Sequence, residues 1–182
     1  METRTDEQSF TELYRQHHKA VTNYVLRRTS ADEVADVVSE VFLTVWRRLD
    51  EIPTAKELPW LYGVARRTLA NTHRAQQRRD TLAEMLATQP QRDAEDCAET
   101  VVVDLSLARA FDALSDTDKE VLRLTVWEEL TARQAALVLG CTAATFHVRL
   151  HRARARLRKN LADTSLGHAR PIHYTNLGGA DA

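Results

Sequence analysis

Apolar residues recur at spacings of three and four along most of the chain, which is the spacing of amphipathic helices. The first such stretch follows Ser9 and continues to Val25. Residues 1–7 before it are polar, so we predict a frayed end there. The first helix is therefore expected to begin near Ser9.

A second helix is predicted after a short break in the pattern. Ser30, followed by Glu33 three residues later, predicts a capping box at its start. The helix extends to about Leu49, and its apolar residues cover more than one stripe. It therefore either lies centrally in a bundle or offers an apolar face to a partner.

The third helix is predicted to follow a loop at residues 52–58. Pro59 is well placed in the first turn of a helix, and the apolar period continues to about Arg79. The outward positions of this helix combine basic, amide and aromatic side chains: Arg66, Arg67, Asn71, His73, Arg74, Gln77, Arg78 and Arg79.

The periodicity then stops. Residues 80–100 are polar and acidic and carry a proline, which predicts a tether with a helical turn at 82–86. A compact helical unit begins at Val101, and Ser115 is the predicted cap of one of its helices. No period follows Leu161, so the tail is predicted to be disordered.

Residues 131–160 predict a helix-turn-helix. Thr131 can cap the first helix, and Gly140 stands where a helix C-terminus needs a left-handed residue. Thr142 or Thr145 can cap the second helix. One stripe of that helix is spaced for burial: Phe146, Leu150, Ala153 and Leu157. Its other faces are basic and carry no acid: His147, Arg149, His151, Arg152, Arg154, Arg156, Arg158 and Lys159.

A basic second helix is typical of a recognition helix in a DNA major groove. Judged on charge alone, a solvated surface helix fits the same residues equally well. The glycine at the turn and the caps on both helices favour DNA binding.

The composition indicates the fold class, and the charged residues are unevenly distributed along the chain. Gly and Pro are scarce among the 182 residues, and Ala, Leu, Arg and Glu dominate, so we predict an all-α fold. Residues 80–104 carry seven acids and one base, whereas residues 105–161 carry ten bases and six acids. A net charge of −1 thus hides a basic end and an acidic middle. We predict two small helical domains joined by a flexible acidic linker.

The sequence shows no pattern of catalytic or metal-binding residues. A phosphate-binding glycine loop and a nucleophile elbow are both missing, and Glu128 and Glu129 are adjacent and would not converge as an acid–base pair. His147 and His151 stand one turn apart without a third ligand nearby, so surface or DNA-contact roles are favoured. We expect no enzyme, no cofactor and no metal. The two cysteines are isolated and no segment is long and apolar enough for a membrane span, so we expect a cytoplasmic protein without membrane insertion.

Three stretches, in this order, resemble bacterial RNA polymerase sigma factors of the extracytoplasmic-function group. Residues 35–50, ADVVSEVFLTVWRRLD, are similar to the helix that binds the clamp helices of RNA polymerase. Residues 59–79, PWLYGVARRTLANTHRAQQRR, are similar to the promoter-melting and −10-recognition helix. Residues 113–159, ALSDTDKEVLRLTVWEELTARQAALVLGCTAATFHVRLHRARARLRK, are similar to the −35-binding domain. With the first helix, the resemblance covers roughly residues 9–161.

The resemblance implies a sigma factor that binds core RNA polymerase and directs promoter-specific initiation through −10 and −35 recognition. The implied polymerase contacts are Asp36, Ser39, Glu40 and Leu43, and Ser39 departs from the family's commoner Gln. The implied −10 contacts are Trp60, Arg66, Arg67, Asn71 and Arg74, with the loop at 52–58 capturing a flipped base. The implied −35 contacts are His147, Val148, Arg149, His151, Arg152 and Arg154. Arg152 is the candidate for bidentate guanine reading.

The expected organisation follows the same resemblance. Residues 8–79 would form the domain for core binding, −10 recognition and melting, and residues 105–161 the −35-binding domain. The acidic linker, 80–104, fits either a nucleic-acid mimic in the RNA-exit path or a solvated tether, and residues 162–182 would be the disordered tail. The partners would be core RNA polymerase and promoter DNA. An inhibitory anti-sigma factor is common in the family, although no residue here identifies one.

Two other functional classes remain open from the sequence. A stand-alone helix-turn-helix regulator would need a dimerisation face that produces symmetric half-sites, and no leucine seam provides one. A protein-binding adaptor would use its basic helices to dock on acidic partners. Association with core polymerase distinguishes all three classes.

Overall fold

The computed structural model of the protein describes residues 3–86 and 105–167. These residues form seven α-helices and one short 3₁₀ helix, and no strand occurs among them. In chain order the elements are α1 (Thr3–Leu26), α2 (Val34–Arg47), the 3₁₀ helix (Leu49–Glu51), α3 (Glu57–Leu86), α4 (Leu105–Asp112), α5 (Asp116–Val126), α6 (Ala132–Leu139) and α7 (Ala143–Gly167). The predicted all-α class is confirmed.

Helices α1, α2 and α3 pack against one another around an aliphatic and aromatic core. Its fully buried members come from all three helices: Val21, Tyr24 and Val25 from α1, Val41 and Val45 from α2, and Leu61 and Ala65 from α3. Each large side chain of this kind contributes about 1.5–3 kcal/mol when it leaves water. The core thereby fixes the outward faces of α2 and α3, which carry the predicted site residues.

Helix α1 begins earlier and α3 extends further than the sequence predicts. α1 is helical from Thr3, so the predicted frayed end at residues 1–7 is wrong from that residue onward. Its first residues include no proline or glycine to stop the helix. α3 continues to Leu86, so the turn predicted at 82–86 is the last part of one long helix. Residues 87–104 of the predicted linker lie outside the described residues.

The predicted capping box at Ser30 is wrong. Helix α2 begins at Val34, with Glu33 as its N-cap residue, and no side chain caps it. The hydroxyls of Thr29 and Ser30 instead donate to the Glu33 carboxylate. Glu33 therefore competes for the hydroxyl that would have capped the backbone.

The described residues belong to two compact units. One unit contains α1 to α3 together with residues 123–147, and the other contains residues 105–122 and 148–167. In the first unit α6 packs against α3. In the second, Ser115 caps α5 as predicted, because its Oγ accepts from the Asp118 amide at 3.3 Å. α7 continues to Gly167, and residues 168–182 of the predicted tail lie outside the described part of the chain.

Candidate nucleic-acid interface

The start of α7 is built by local capping interactions. The Thr131 side chain and the Gln134 side chain form a capping box at the start of α6. Gly140 ends α6 in the left-handed conformation, with φ of 63°. The Thr142 hydroxyl then accepts from the Thr145 amide at 3.1 Å, so Thr142 rather than Thr145 caps α7. The predicted helix-turn-helix caps are confirmed, and they determine the direction in which α7 leaves the turn.

Helix α7 buries one stripe and exposes the predicted −35 residues. Phe146, Leu150 and Ala153 are buried, and Leu157 is partly buried. All six predicted contact residues are exposed: His147, Val148, Arg149, His151, Arg152 and Arg154. Val148 is half exposed, which leaves an apolar group beside the basic ones for contact with a base methyl group. This face can therefore contact both base edges and phosphates.

The C-terminal half of α7 has a structural role that the sequence did not reveal. Arg156 donates to both carboxylate oxygens of Asp118, at 2.9 and 2.7 Å. Asn160 donates to the Ala110 carbonyl at 3.0 Å. Arg156 belongs to the outward basic residues that the sequence predicts for this helix, but its guanidinium binds an acid of α5. Asp118 lies 38 residues before Arg156, so helical periodicity gives no signal for this contact.

The outward face of α3 carries the predicted −10 residues. Arg66, Arg67, Asn71 and Arg74 are exposed, and Trp60 is partly buried. Arg74 donates to the Asn71 Oδ1 at 2.8 Å, which leaves the Asn71 amide NH₂ to donate elsewhere. The guanidinium of Arg48 lies 5.6 Å from the Trp60 ring centroid. The face thus presents cations, an amide donor and an aromatic edge, the groups that single-stranded nucleic acid binds.

A groove of about 590 Å³ runs between α2 and α3. The predicted polymerase residues Asp36 and Glu40 line one wall, and Arg67 and Asn71 line the other. The structure therefore brings half of the predicted polymerase set next to two −10 residues. Ser39 and Leu43 are exposed on α2 outside this groove. The Ser39 hydroxyl donates to the Ala35 carbonyl at 2.8 Å.

An aromatic cluster on α1 and α2 was missed by the sequence analysis. Phe10 contacts Phe42 and Trp46 edge-on, with centroid distances of 6.4 and 5.1 Å. Tyr14 adds a second edge contact with Phe42 at 4.7 Å. Trp46 is 41% exposed, and Leu43 on the same helix is 44% exposed. The spacing of Phe10 and Tyr14, four residues apart, is the signal that could have extended the α2 surface onto α1.

The loop predicted to capture a base lies beside a small cavity of about 260 Å³. Pro53 and Lys56 of the loop line it with Trp60 and Arg67 of α3, and Leu137 of α6 closes it. Ala55 in the loop has a positive φ of 62°, a conformation that costs a non-glycine residue roughly 1 kcal/mol. The Glu57 carboxylate accepts from the Ala55 amide at 2.9 Å and helps to hold this conformation.

A buried acid between α5 and α6 was also missed. The Glu128 carboxylate accepts from Arg27 at 2.6 Å and from Arg28 at 2.9 Å, and its side chain is 1% exposed. The Arg28 guanidinium lies 3.5 Å from the centroid of the Tyr24 ring, which stacks on Tyr62 at 4.7 Å. The partners are about a hundred residues apart in sequence, so no local pattern predicts them.

Two further features of the described residues limit the chemistry of the site. No group of three or more His, Cys, Asp or Glu side chains is arranged to hold a metal ion within the described ranges. No helix in this part of the chain has the length and apolar character needed to cross a membrane.

The chain matches two family descriptions in the expected order. Residues 13–79 match Sigma-70 region 2, and residues 104–157 match Sigma-70, region 4. Together the two matches cover about two thirds of the chain.

Two curated relatives are similar over most of their length. RNA polymerase sigma factor YlaC of Bacillus subtilis is 28% identical over 163 residues, which cover 84% of this chain and 92% of the relative. ECF RNA polymerase sigma factor SigM of the same organism is 26% identical over 149 residues, covering 81% and 91%.

Two solved structures share the fold. The sigma factor RpoE from Bartonella quintana, in complex with the anti-sigma factor NepR, aligns with a TM-score of 0.64 at 22% identity, covering 84% of this chain and 96% of that one. CnrH, in complex with the cytosolic domain of CnrY, aligns with a TM-score of 0.58 at 23% identity, covering 86% and 90%.

Proposed function

Since this chain belongs to the sigma-70 family, as a sigma factor of the extracytoplasmic-function group, we propose how its own residues divide the recognition of polymerase and promoter. It binds core RNA polymerase and directs promoter-specific initiation through −10 and −35 recognition. The observation that carries the assignment of residues is the exposed basic face of α7, the second helix of a helix-turn-helix in which both helices are capped.

The −35 element is read by the exposed face of α7. Arg152 reads a guanine through its bidentate fork, and His147, Val148 and His151 contact neighbouring base edges. Arg149 and Arg154 bind phosphates and fix the register of the helix. The burial of Phe146 and Leu150 supports this division, because it leaves the assigned side chains on the open side.

The −10 element is recognised by α3 and the loop before it. Arg66, Arg67 and Arg74 bind phosphates of the melted strand, and Asn71 donates its free amide hydrogens to a base edge. Trp60 supports a base at the cavity formed with the loop. The Arg74–Asn71 hydrogen bond supports the role of Asn71, since it fixes which side of the amide faces outward.

Core polymerase is bound by α2 through Asp36, Ser39, Glu40 and Leu43. The exposed aromatic cluster of Phe10, Tyr14 and Trp46 extends this surface, since exposed aromatic groups are enriched at protein interfaces. An anti-sigma factor is a further partner proposed for this open surface, and the solved RpoE structure holds the anti-sigma factor NepR.

The domains that act separately on DNA are residues 8–79 and 105–161, connected by the acidic segment 80–104 and followed by the tail 162–182. The protein acts without catalysing a reaction of its own and needs no cofactor. It works in the cytoplasm, where its polymerase partner is.

Reconstituted transcription tests this function. The chain is expected to co-purify with core RNA polymerase and to start transcripts from promoters of the genes that its overproduction induces. A chain that binds DNA specifically without polymerase, and does not co-purify with core, would instead be a stand-alone regulator. A chain that binds neither DNA nor core contradicts the proposal outright.

A further inference from the structure

The Asp118 carboxylate is held in one position at the start of α5. It is buried, and the Ser115 hydroxyl donates to its Oδ2 at 2.9 Å. The Asp118 amide donates in turn to the Ser115 Oγ at 3.3 Å. Because these two hydrogen bonds fix both the backbone and the side chain of Asp118, its carboxylate has little freedom to turn away from α7.

Arg156 of α7 binds this carboxylate, yet more than half of its side chain faces solvent. Its Nη1 donates to both Asp118 oxygens, and the Arg156 side chain is 59% exposed, against 7% for Asp118. Within the described residues, every hydrogen bond of Arg156 is made by Nη1. The planar guanidinium also carries N–H donors on Nε and Nη2. These hydrogens are therefore free to bind a second anion on the open side.

The open side of Arg156 is next to a proposed base reader. Arg156 follows Arg152 by four residues, so the two side chains are neighbours on the surface of α7. Both belong to the same compact unit as Asp118. One turn further on, Asn160 donates to the Ala110 carbonyl at 3.0 Å and anchors α7 to α4. The phosphates of both strands border a recognition helix in the major groove, so an arginine beside a base reader faces the DNA backbone.

The charge of Asp118 should help DNA binding rather than oppose it. An exposed acid close to DNA repels the phosphates. Asp118 is instead buried, and Arg156 balances its charge. A free arginine loses rotamer freedom when it binds a phosphate, whereas an arginine that is already held in place loses less. The net effect of Asp118 on DNA binding is therefore favourable.

We propose that Asp118 is a positioning residue for −35 binding, which fixes the Arg156 guanidinium so that its Nε and Nη2 hydrogens bind a phosphate beside the −35 element. The inference rests on the proposed sigma function and adds to it a residue that acts on DNA only through another. It assigns to a buried acid a role that strengthens the binding of a polyanion.

Removal of the acid tests the sign of its effect. Asp118→Asn keeps the shape of the side chain and should weaken promoter binding by the chain in complex with core polymerase about three- to tenfold, because an ordered arginine–phosphate contact is lost. Asp116→Asn is the matched control, since Asp116 is an exposed acid in the same turn of α5, and it should not weaken binding. If Asp118→Asn binds as well as the unsubstituted chain, or more tightly, the proposal is overturned.

A double variant tests whether Asp118 acts through Arg156. In a chain that carries Arg156→Ala, the further change Asp118→Asn should cause no additional weakening, because the side chain that Asp118 positions is already gone. An additional loss as large as that of Asp118→Asn alone would show that Asp118 acts on DNA binding by another route, which refutes its assigned role.

A scan of the DNA backbone separates positioning from a merely structural role. Promoter duplexes are prepared in which a neutral methylphosphonate replaces one phosphate at a time around the −35 element. At one phosphate the replacement should weaken binding by the unsubstituted chain, but it should weaken binding by Arg156→Ala no further and binding by Asp118→Asn less. If Asp118 served only to stabilise the fold, its substitution would lower affinity by the same factor on every duplex. The absence of such a phosphate contradicts the proposal.

Arg156→Lys provides a second test if Asp118→Asn unfolds the chain. Lysine keeps the charge at this exposed position but lacks the planar fork that can bind two anions at once. Promoter binding is expected to weaken about threefold or more, by the loss of a fork contact. Full affinity of Arg156→Lys would mean that charge alone is sufficient, and the positioning role would be refuted.

The unsubstituted chain separates this inference from the sigma function itself. If that chain starts no transcripts with core polymerase, the proposed function is wrong. The variants are then compared on the same duplexes with the full chain alone at low salt, where electrostatic binding is strongest. Equal affinities of Asp118→Asn and Asp116→Asn in that assay would refute the role of Asp118 as well, whereas weaker binding by Asp118→Asn alone would support it.

Discussion

Arg152 projects from the exposed face of α7 with enough freedom to form two parallel hydrogen bonds to a guanine. A bidentate contact of this kind provides about 1–3 kcal/mol of discrimination, which corresponds to roughly 5- to 150-fold in binding. Arg152→Ala is therefore expected to reduce initiation at cognate promoters by about that factor while core binding stays normal. Run-off transcription and co-purification measure the two effects separately.

Arg158→Ala is the control for Arg152→Ala. Arg158 is exposed on the same helix and carries the same charge, but it lies outside the proposed readers. It should cause a smaller loss that is similar on all promoters, because it can contribute only through the general field of the helix. Equal, promoter-dependent losses in both variants would remove Arg152 from its assigned role.

Tyr62 should report spectroscopically on the buried surroundings of Glu128, Arg27 and Arg28. Burial, together with the negative charge of Glu128, raises the pKa of Tyr62 to about 12. Since the pKa in the folded chain exceeds the ordinary value near 10, the contribution of Tyr62 to stability is present below about pH 10 and is lost as the pH rises towards 12. Tyr62→Phe should abolish the part of the tyrosinate absorbance titration near pH 12, whereas Tyr14→Phe should retain it. A titration unchanged by Tyr62→Phe would contradict this burial.

Single residues also show where sequence reasoning ends. The outward bases of α7 look alike in sequence, yet Arg156, whose side chain is 59% exposed, binds Asp118 while its neighbours face solvent. Glu128, which the sequence distinguishes from Glu129 only by position, is buried. In both cases the partner lies on another helix, and helical periodicity carries no information about which helices meet.

Gly140 allows the α6–α7 turn to form. Its φ of 63° is readily available only to glycine, so Gly140→Ala should destabilise the fold by about 1–2 kcal/mol. Gly63→Ala is the matched control, because Gly63 lies within α3 and an added Cβ meets only ordinary contact distances. It should be neutral or stabilise the chain by up to about 1 kcal/mol through helix propensity. Urea denaturation of the two variants checks the opposite signs, and equal effects would contradict the role of the turn.

At the scale of elements, prediction succeeded where the interaction is local. Thr131, Gly140 and Ser115 act within three or four residues of themselves, and all three caps form as predicted. The cap predicted at Ser30 does not form, because the Ser30 hydroxyl donates a hydrogen bond to the Glu33 carboxylate. The end of α3 was missed because polar, acidic residues were interpreted as linker, although nothing before Pro90 prevents a helix.

For the whole molecule, the order of motifs predicted the family and the all-α fold, but not the packing of α6 against α3. The motifs indicate which helix faces would bind polymerase and DNA. Asp36, Asn71 and Arg152 on those faces are exposed, as such contacts require. In the packing of α6 on α3, Gly63 lies beside the Val138 backbone, and neither residue type marks such a contact in a sequence. A sequence pattern distinguishes a binding face far more readily than it distinguishes an internal contact.

The two proposed DNA-reading surfaces should contribute independently once the chain is bound to polymerase. Asn71 and Arg152 would contact elements about 25 base pairs apart, which at about 3.4 Å per base pair is about 85 Å. The free-energy effects of substitutions that far apart usually add within about 0.5 kcal/mol. Asn71→Ala combined with Arg152→Ala should therefore lower promoter-complex formation by the product of the single effects, within about twofold. The measurement is an equilibrium titration of promoter DNA with the polymerase complex of each single variant and of the double variant. A double variant no weaker than Arg152→Ala alone would mean that both residues act on one surface, which contradicts the two-surface proposal.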